Sequence, residues 1–370
     1  MNEAEALMAL NAVPGLGNAR IKKLIDRFGC AKTVFSSSAK DLGSSGIVSS
    51  EIVNLIKTLD VDDYLKQEAQ LIKRFGTEVV AFTDEQYPKN LKEIPDCPVL
   101  LYCKGNISKL DHLAVAVVGS RKASMYGQAT AEKLGTNLAE LGIAVVSGMA
   151  RGIDTCAHRG ALKAKGITAA VLGCGLSHIY PPENKKLFDQ IAEQGTVISE
   201  FSMATPPAAY HFPQRNRIIS GLSLGVVVVE ASFKSGALIT SDFALEQGRE
   251  VFAVPGKIDN PAALGVNRLI QQGAKLINGV EDIIEELKPH LQLPVERSIQ
   301  KEEEKTVLHD PLDPKQGGVY RLLNKEPAHI DTLVDKTQFS LPQISSILLQ
   351  LELKKLIKQL PGKFFVRIEK

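Results

Sequence analysis

Between Gly76 and Leu287 the chain repeats one unit: a run of β-branched and small apolar residues, a polar or glycine-rich loop, a stretch of helical period, and a glycine. The runs are VAVVGS (115–120), IAVVSG (143–148), ITAAVLG (167–173), TVISE (196–200), GVVVVE (225–230) and REVFAVPG (249–256). They are apolar at consecutive rather than alternate positions, so each strand must be covered on both faces, and a helix between each pair supplies the cover. The expected fold is α/β: a doubly wound, Rossmann-like, mostly parallel sheet. Gly142, Gly166, Gly195, Gly225 and Gly248 stand where each preceding helix must stop, a place that favours a left-handed glycine.

This topology predicts where a site lies, because in an open α/β sheet the loops that follow the strands emerge at one edge, where ligands bind. Those loops read SRKAS (120–124), GMARGID (148–154), GCGLSHIYPPEN (173–184), EFSMATPPAAYHFPQRNR (200–217), ASFKSGALIT (231–240) and PGKIDNPAALGVN (255–267). They gather Arg121, Lys122, Arg151, Arg215, Arg217, Lys234 and Lys257 beside glycines and helix starts, which together favour an anion. The whole chain carries 44 basic against 42 acidic side chains, so a polyanion has to be held by such a local patch rather than by net charge.

The flanks differ in character, and we divide the chain at 1–75, 76–290, 291–316 and 317–370. Residues 1–75 read as a helical domain of helix-hairpin-helix or SAM-like type. LNAVPGLGNARIKKLIDRFG fits two helices about a Pro-Gly-Leu-Gly turn, with Asn18 as cap and Ile21, Leu24, Ile25 and Phe28 on one face. SGIVSSEIVNLIK echoes it 31 positions on, with Val48 in place of the second glycine. In helix-hairpin-helix proteins the hairpin amides contact phosphate; a structural or docking role is the alternative. Residues 291–316 form a linker with a charge run and no apolar period. Beyond it, three helical patterns and KQLPGKFFVRI, a hairpin about Pro361-Gly362, suggest a winged helix. Its third helix has a Ser340/Gln343 capping box and buries Ile344, Ile347, Leu348 and Leu351. It turns Gln343, Ser345, Ser346, Gln350 and Glu352 outward, with Lys354 and Lys355 at its end, a set poor in base-reading donors that points to protein docking rather than duplex readout.

Signatures of catalysis are weak. No G-x-x-x-x-G-K-[ST] loop occurs, Gly173-Cys174-Gly175 lacks the third glycine of a dinucleotide fingerprint, and no G-x-S-x-G elbow accompanies Ser147 or Ser235. His158, His178 and His211 have no metal-ligand spacing, and we expect neither cofactor nor metal. Asp154 reads as a helix cap, and Glu200 and Glu230 as partners for the arginines or positioners of bound groups. The five cysteines lack a C-x-x-C pair and read as reduced thiols. With an acidic N-terminus and no long apolar run, the expected location is cytoplasmic, with no membrane partner.

Five motifs in order resemble one family: VVGSR (117–121), SGMARGID (147–154), HFPQRNRIISGLS (211–223), VVEASFKSGALIT (228–240) and REVFAVPG (249–256) look like the DNA-processing protein A family, also called DprA or Smf. The resemblance implies a non-enzymatic protein that binds single-stranded DNA without sequence preference, forms a homodimer through its α/β domain, and helps load the RecA recombinase in natural transformation. It implies phosphate contacts for Arg121, Arg215 and Arg217. Gly119, Ser120, Lys122, Arg151, Asn216, Lys234, Ser235, Gly236 and Lys257 complete the candidate groove by position, and Phe212, with Tyr180 or Tyr210, offers a surface for base stacking or else belongs to the core. Asn216 reads as a loop-fixing residue, and apolar residues in 265–277 as a dimer surface. The competing reading is a nucleotide-binding Rossmann-like enzyme or sensor, akin to nucleotide-cleaving lysine-decarboxylase-like proteins; KSGALITSDFALEQG lacks their paired glycines.

Overall fold

The computed structural model describes residues 1–110, 113–288, 313–323, 328–337, 339–353, 356–360 and 363–367. Two compact units emerge, Met1–Gln292 and Leu293–Lys370.

In the first unit, strands β1 (Glu78–Ala81), β2 (Leu100–Gly105), β3 (Ala114–Val118), β4 (Ala144–Ser147), β5 (Thr168–Val171), β6 (Thr196–Ser199), β7 (Gly225–Val228), β8 (Glu250–Ala253) and β9 (Lys275–Leu276) form one sheet. Their spatial order is β1-β2-β6-β5-β4-β3-β7-β8-β9. The six runs read from the sequence are β3 to β8, and every pairing among them is parallel. β2 joins β6 antiparallel and β1 joins β2 antiparallel, an edge that the repeating unit does not contain because neither strand is fed by a helical crossover.

Burial explains the consecutive apolar runs. Val115, Val117, Val145 and Val227 pack under the helices Met125–Glu140 and Ile153–Lys163, while Ala116, Val118, Val146, Val226 and Val228 meet the opposite layer, which includes Ala237 and Ala244. β3 therefore leads through one layer to β4, and its neighbour β7 leads through the other to β8. Adjacent strands whose connections diverge in this way leave a crevice outside their carboxyl ends.

The glycines behave in two ways. Gly142 and Gly248 take the expected left-handed backbone, at φ 74° and 67°. Gly166, Gly195 and Gly225 do not. Each instead lies where a Cβ would strike a neighbour, and Lys165 adopts the left-handed turn before β5 at φ 56°.

Helices Glu3–Asn11, Asn18–Phe28, Ala31–Ser36, Ala39–Ser44, Ser50–Thr58 and Val61–Phe75 precede the sheet. Leu7, Leu10, Ile21, Leu24 and Leu42 share a core with Val99, Leu100, Tyr102, Leu172 and Val197, so this segment covers part of the sheet. Asn18 is not the cap. Gly17 occupies that position, and the buried Asn18 side chain accepts from the Val99 N–H at 3.0 Å and donates to Glu200 at 3.4 Å, stapling the hairpin to the sheet. In 265–277, Val266, Leu269 and Ile277 are core residues and Leu276 is exposed, which leaves little of the apolar surface expected there. Among the described residues all five cysteines are free thiols and no helix is long and apolar enough to cross a membrane.

The second unit holds helices Pro314–Leu322, Ile330–Asp335 and Leu341–Leu353 and a sheet of β10 (Ala328–His329), β12 (Phe364–Arg367) and β11 (Ile357–Leu360), the layout of a winged helix. Ile344, Ile347, Leu348 and Leu351 face its core and Gln343, Ser345, Ser346 and Gln350 are exposed. Gln343 Oε1 accepts from the Ser340 N–H at 2.9 Å, one half of the capping box. The linker at 291–312, Lys354, Lys355 and the Pro361-Gly362 turn lie outside the described residues.

Candidate functional site

The crevice between β3 and β7 is a cavity of about 580 Å³. Nine of the candidate residues line it: Gly119, Ser120, Arg121, Lys122, Phe212, Arg215, Asn216, Ser235 and Gly236. They come from three loops far apart in sequence. The loop after β3 is tied to the end of β7, since Ser120 N–H donates to the Glu230 carbonyl at 2.7 Å and the Glu230 carboxylate accepts from Ser124 N–H at 2.9 Å and Ser124 Oγ–H at 2.5 Å. Glu230 thus positions the loop that carries Arg121. Ser124 then caps the helix Met125–Glu140 through the Gly127 N–H.

Arg215, from the helix His211–Gly221, lies at the back of the cavity and is 4% exposed. Its Nη1 donates to the carbonyls of Gly148, at 2.8 Å, and of Val171, and its Nε has no acceptor. A Cβ at Gly148 would come within 2.4 Å of that guanidinium, so the loop after β4 must be glycine there. Asp154 is not a cap: it accepts from the N–H groups of Gly148 and Ala150 at 3.2 and 3.3 Å and shapes this loop beneath the arginine. Burial raises the Asp154 carboxyl to about 6 against the pull of Arg215, and burial lowers Arg215 to about 10. His158, behind them, is pushed down to about 3 by burial and then by Arg215, and so stays neutral.

The mouth of the cavity is different. Arg121 is exposed, has no acidic partner among the described residues, and stacks over the Phe212 ring at 5.2 Å. Phe212 is half-buried and also meets Tyr180 at 5.5 Å, so it is neither core nor a free plane. Lys122 is exposed beside it. Opposite, Ser235 caps the helix Gly236–Glu246, whose first amides point their partial positive charge at the cavity. The arrangement offers a cation–aromatic platform at the rim, a helix terminus on one wall and a buried guanidinium behind.

Other candidates fall elsewhere. Arg217 is 7% exposed and faces away from this cavity. It donates to Glu200 at 2.5 Å and to Asp96 at 2.9 Å, so its charge is consumed inside the protein rather than offered to phosphate. Burial opposes that charge and the two carboxylates more than restore it, while burial raises Glu200. Asn216 Nδ2 donates to the Gly236 carbonyl at 3.2 Å and fixes the start of the facing helix, in keeping with a loop-fixing part. Arg151 is exposed and paired with Glu183, at the edge of a small recess that adjoins the cavity. Lys234 and Lys257 are exposed and outside the cavity lining. Ser147 donates to the Val117 carbonyl and His158 bonds Thr168, so neither forms part of a nucleophilic pair. Sequence reasoning missed Asp154 and Thr240 as cavity residues. The strand-end position of Asp154 was the available signal.

The model of the family described as DNA recombination-mediator protein A matches residues 78–288, more than half of the chain. The chain belongs to that family. A second model, described as DprA winged helix domain, matches residues 303–363. Protein Smf of Escherichia coli K12 is 41% identical over 75% of this chain and 74% of its own length, and the DNA processing protein DprA of Streptococcus pneumoniae is 45% identical over 61% and 78%. Among solved structures, DprA from Streptococcus pneumoniae aligns with TM-score 0.68 and 38% identity over 77% of this chain and 98% of that one. DNA processing protein A from Helicobacter pylori, described for its single-stranded DNA binding mode, aligns with TM-score 0.52 and 30% identity over 58% and 96%. This chain is thus a DprA family member with a mostly parallel α/β sheet and a winged helix.

Proposed function

We propose that the cavity between β3 and β7 binds the backbone of single-stranded DNA without regard to sequence. The observation that carries this reading is Arg121, a cation with no protein partner, held over Phe212 at the mouth of a cavity backed by a second, buried guanidinium. A single strand needs a cationic track for its phosphates and a planar surface for a base, and this rim places both within one contact. Within this reading Arg121 and Lys122 meet phosphate, Gly119, Ser120, Ser235 and Gly236 lend backbone and hydroxyl donors, and Arg215 shapes the cavity and supplies its field. Arg217 acts only in the fold. Lys234, Lys257 and Arg151 extend the positive rim.

Likeness to the Helicobacter pylori protein supports the ligand class, and family membership supports the wider role: a non-enzymatic mediator, dimeric through the α/β unit, that protects incoming strands and helps load RecA. The test is fluorescence anisotropy with oligo-dT and with mononucleotides across a salt series, for the natural protein and Arg121→Ala. We expect tight oligo-dT binding, and a salt slope about 0.7 shallower per lost phosphate contact in the variant. Equal affinity and slope in the variant would overturn the reading, and turnover of a mononucleotide would favour a nucleotide enzyme built on the same crevice.

A further inference from the structure

The helix His211–Gly221 has two working faces. Phe212, Arg215, Asn216 and Ile219 recur at helical spacing on one side and line the cavity already described, whereas Gln214 and Arg217 lie roughly half a turn away and line another, of about 730 Å³. Its remaining walls are the Gly15–Arg20 turn, Tyr64, Asp96 and the Glu200–Ser202 segment.

Three observations say what this second cavity can hold. First, its polar groups are partly unused. Glu200 Oε2 takes Arg217 Nη2 and Asn18 Nδ2, while Oε1 has no partner among the described residues; Arg217, nine-tenths buried, has Nη1 without an acceptor. A buried donor left unpaired costs free energy that a ligand acceptor would recover. Second, Tyr64 and Phe201 present rings to the same space. Third, the first-turn amides of the eleven-residue helix Asn18–Phe28 border it, and a helix does not use those groups itself.

A bare anion fits poorly, because the Glu200 and Asp96 carboxylates both face the space. A flat ligand with adjacent acceptor and donors fits well. Guanine presents O6, N1–H and N2–H in a row, matching Arg217 Nη1, Glu200 Oε1 and the half-exposed Asp96 carboxylate in turn, with its sugar phosphate toward the Asn18 and Ala19 amides. Thymine has only one N–H for two carboxylates. We propose that the second cavity takes one unstacked guanine base, delivered by the strand that occupies the first. The inference rests on the single-strand reading above for the source of the base, not for its chemistry. The two cavities are separated by one helix, about 10 Å across, a short step along an extended strand.

The experiment has two arms on the full chain. Oligo-dT carrying a single dG at successive positions is compared with plain oligo-dT by anisotropy, for the natural protein and for Asp96→Asn, which keeps the shape at the cavity edge. One dG position should tighten binding roughly fivefold or more, and Asp96→Asn should cancel that gain while leaving oligo-dT binding unchanged. In parallel, the same strands with 6-thioguanine, and free 6-thio-dGMP, are photo-crosslinked and the adducts mapped. Adducts at Tyr64 or Phe201 from the strand support the proposal as stated. Adducts there from the free nucleotide alone keep the guanine site and overturn the strand as its source. A bound strand with no dG preference, and no adduct at Tyr64 or in 200–202, overturns the proposal altogether. Absence of oligo-dT binding instead counts against the first cavity, and is separable by the free-nucleotide arm.

Discussion

Arg215 and Arg217 are two positions apart and do opposite things. The helix sends one toward the crevice and the other toward Glu200. Arg217→Ala leaves Glu200 buried without its cation, a change of the kind that costs about 3–5 kcal/mol, and we expect urea unfolding to show a loss of that order. Arg121→Ala, at an exposed and unpaired residue, should leave the same unfolding curve within about 0.5 kcal/mol. Asp154 gives the site a pH dependence. Its carboxyl titrates near 6 in the folded chain against an ordinary 3.8, so the folded state holds the proton more tightly. The stability it contributes is complete below about pH 4 and is lost as pH rises through 6. By the same proton, one negative charge beside Arg215 disappears as pH falls below 6. Oligo-dT affinity should therefore rise between pH 7 and 5, and Asp154→Asn should flatten that part of the profile; an unchanged profile in the variant would assign the effect to other groups.

At the scale of elements, the loop after β3 works only because β7 holds it. Glu230 anchors Ser124, and Ser124 caps the next helix. Ser124→Ala removes the cap and one Glu230 bond, and a loss of about 1 kcal/mol in thermal unfolding is expected. The same variant should weaken oligo-dT binding, because Arg121 is carried on that loop. The six parallel strands were legible in the sequence because each is a run apolar on both faces, a pattern local to a few residues. β1 and β2 were not, since an antiparallel edge without crossover helices breaks that pattern. Gly17 and Gly148 illustrate the limit from the other side. One takes the cap that Asn18 was expected to supply, and the other is required by a guanidinium 67 residues away.

For the whole molecule, the first 75 residues close a core with the sheet, and the second unit has a core of its own. A chain ending at residue 292 should fold and bind oligo-dT with the salt slope of the full protein, since both cavities lie within it. Removal of residues 1–75 should instead give an aggregating product in size-exclusion chromatography, because Val99, Leu100, Tyr102 and Leu172 lose their cover.

The sequence by itself determined the parallel strands, the edge at which their loops gather, and through five ordered motifs the family. These follow from local periodicity and motif order, which need no knowledge of distant contacts. Only the tertiary structure decided which cations remain free. Charge is visible in a sequence, but whether a guanidinium meets water, a carbonyl or a buried carboxylate depends on what folding brings beside it. Arg121 finds Phe212, Arg215 finds the backbone of Gly148 and Val171, and Arg217 finds Glu200 and Asp96.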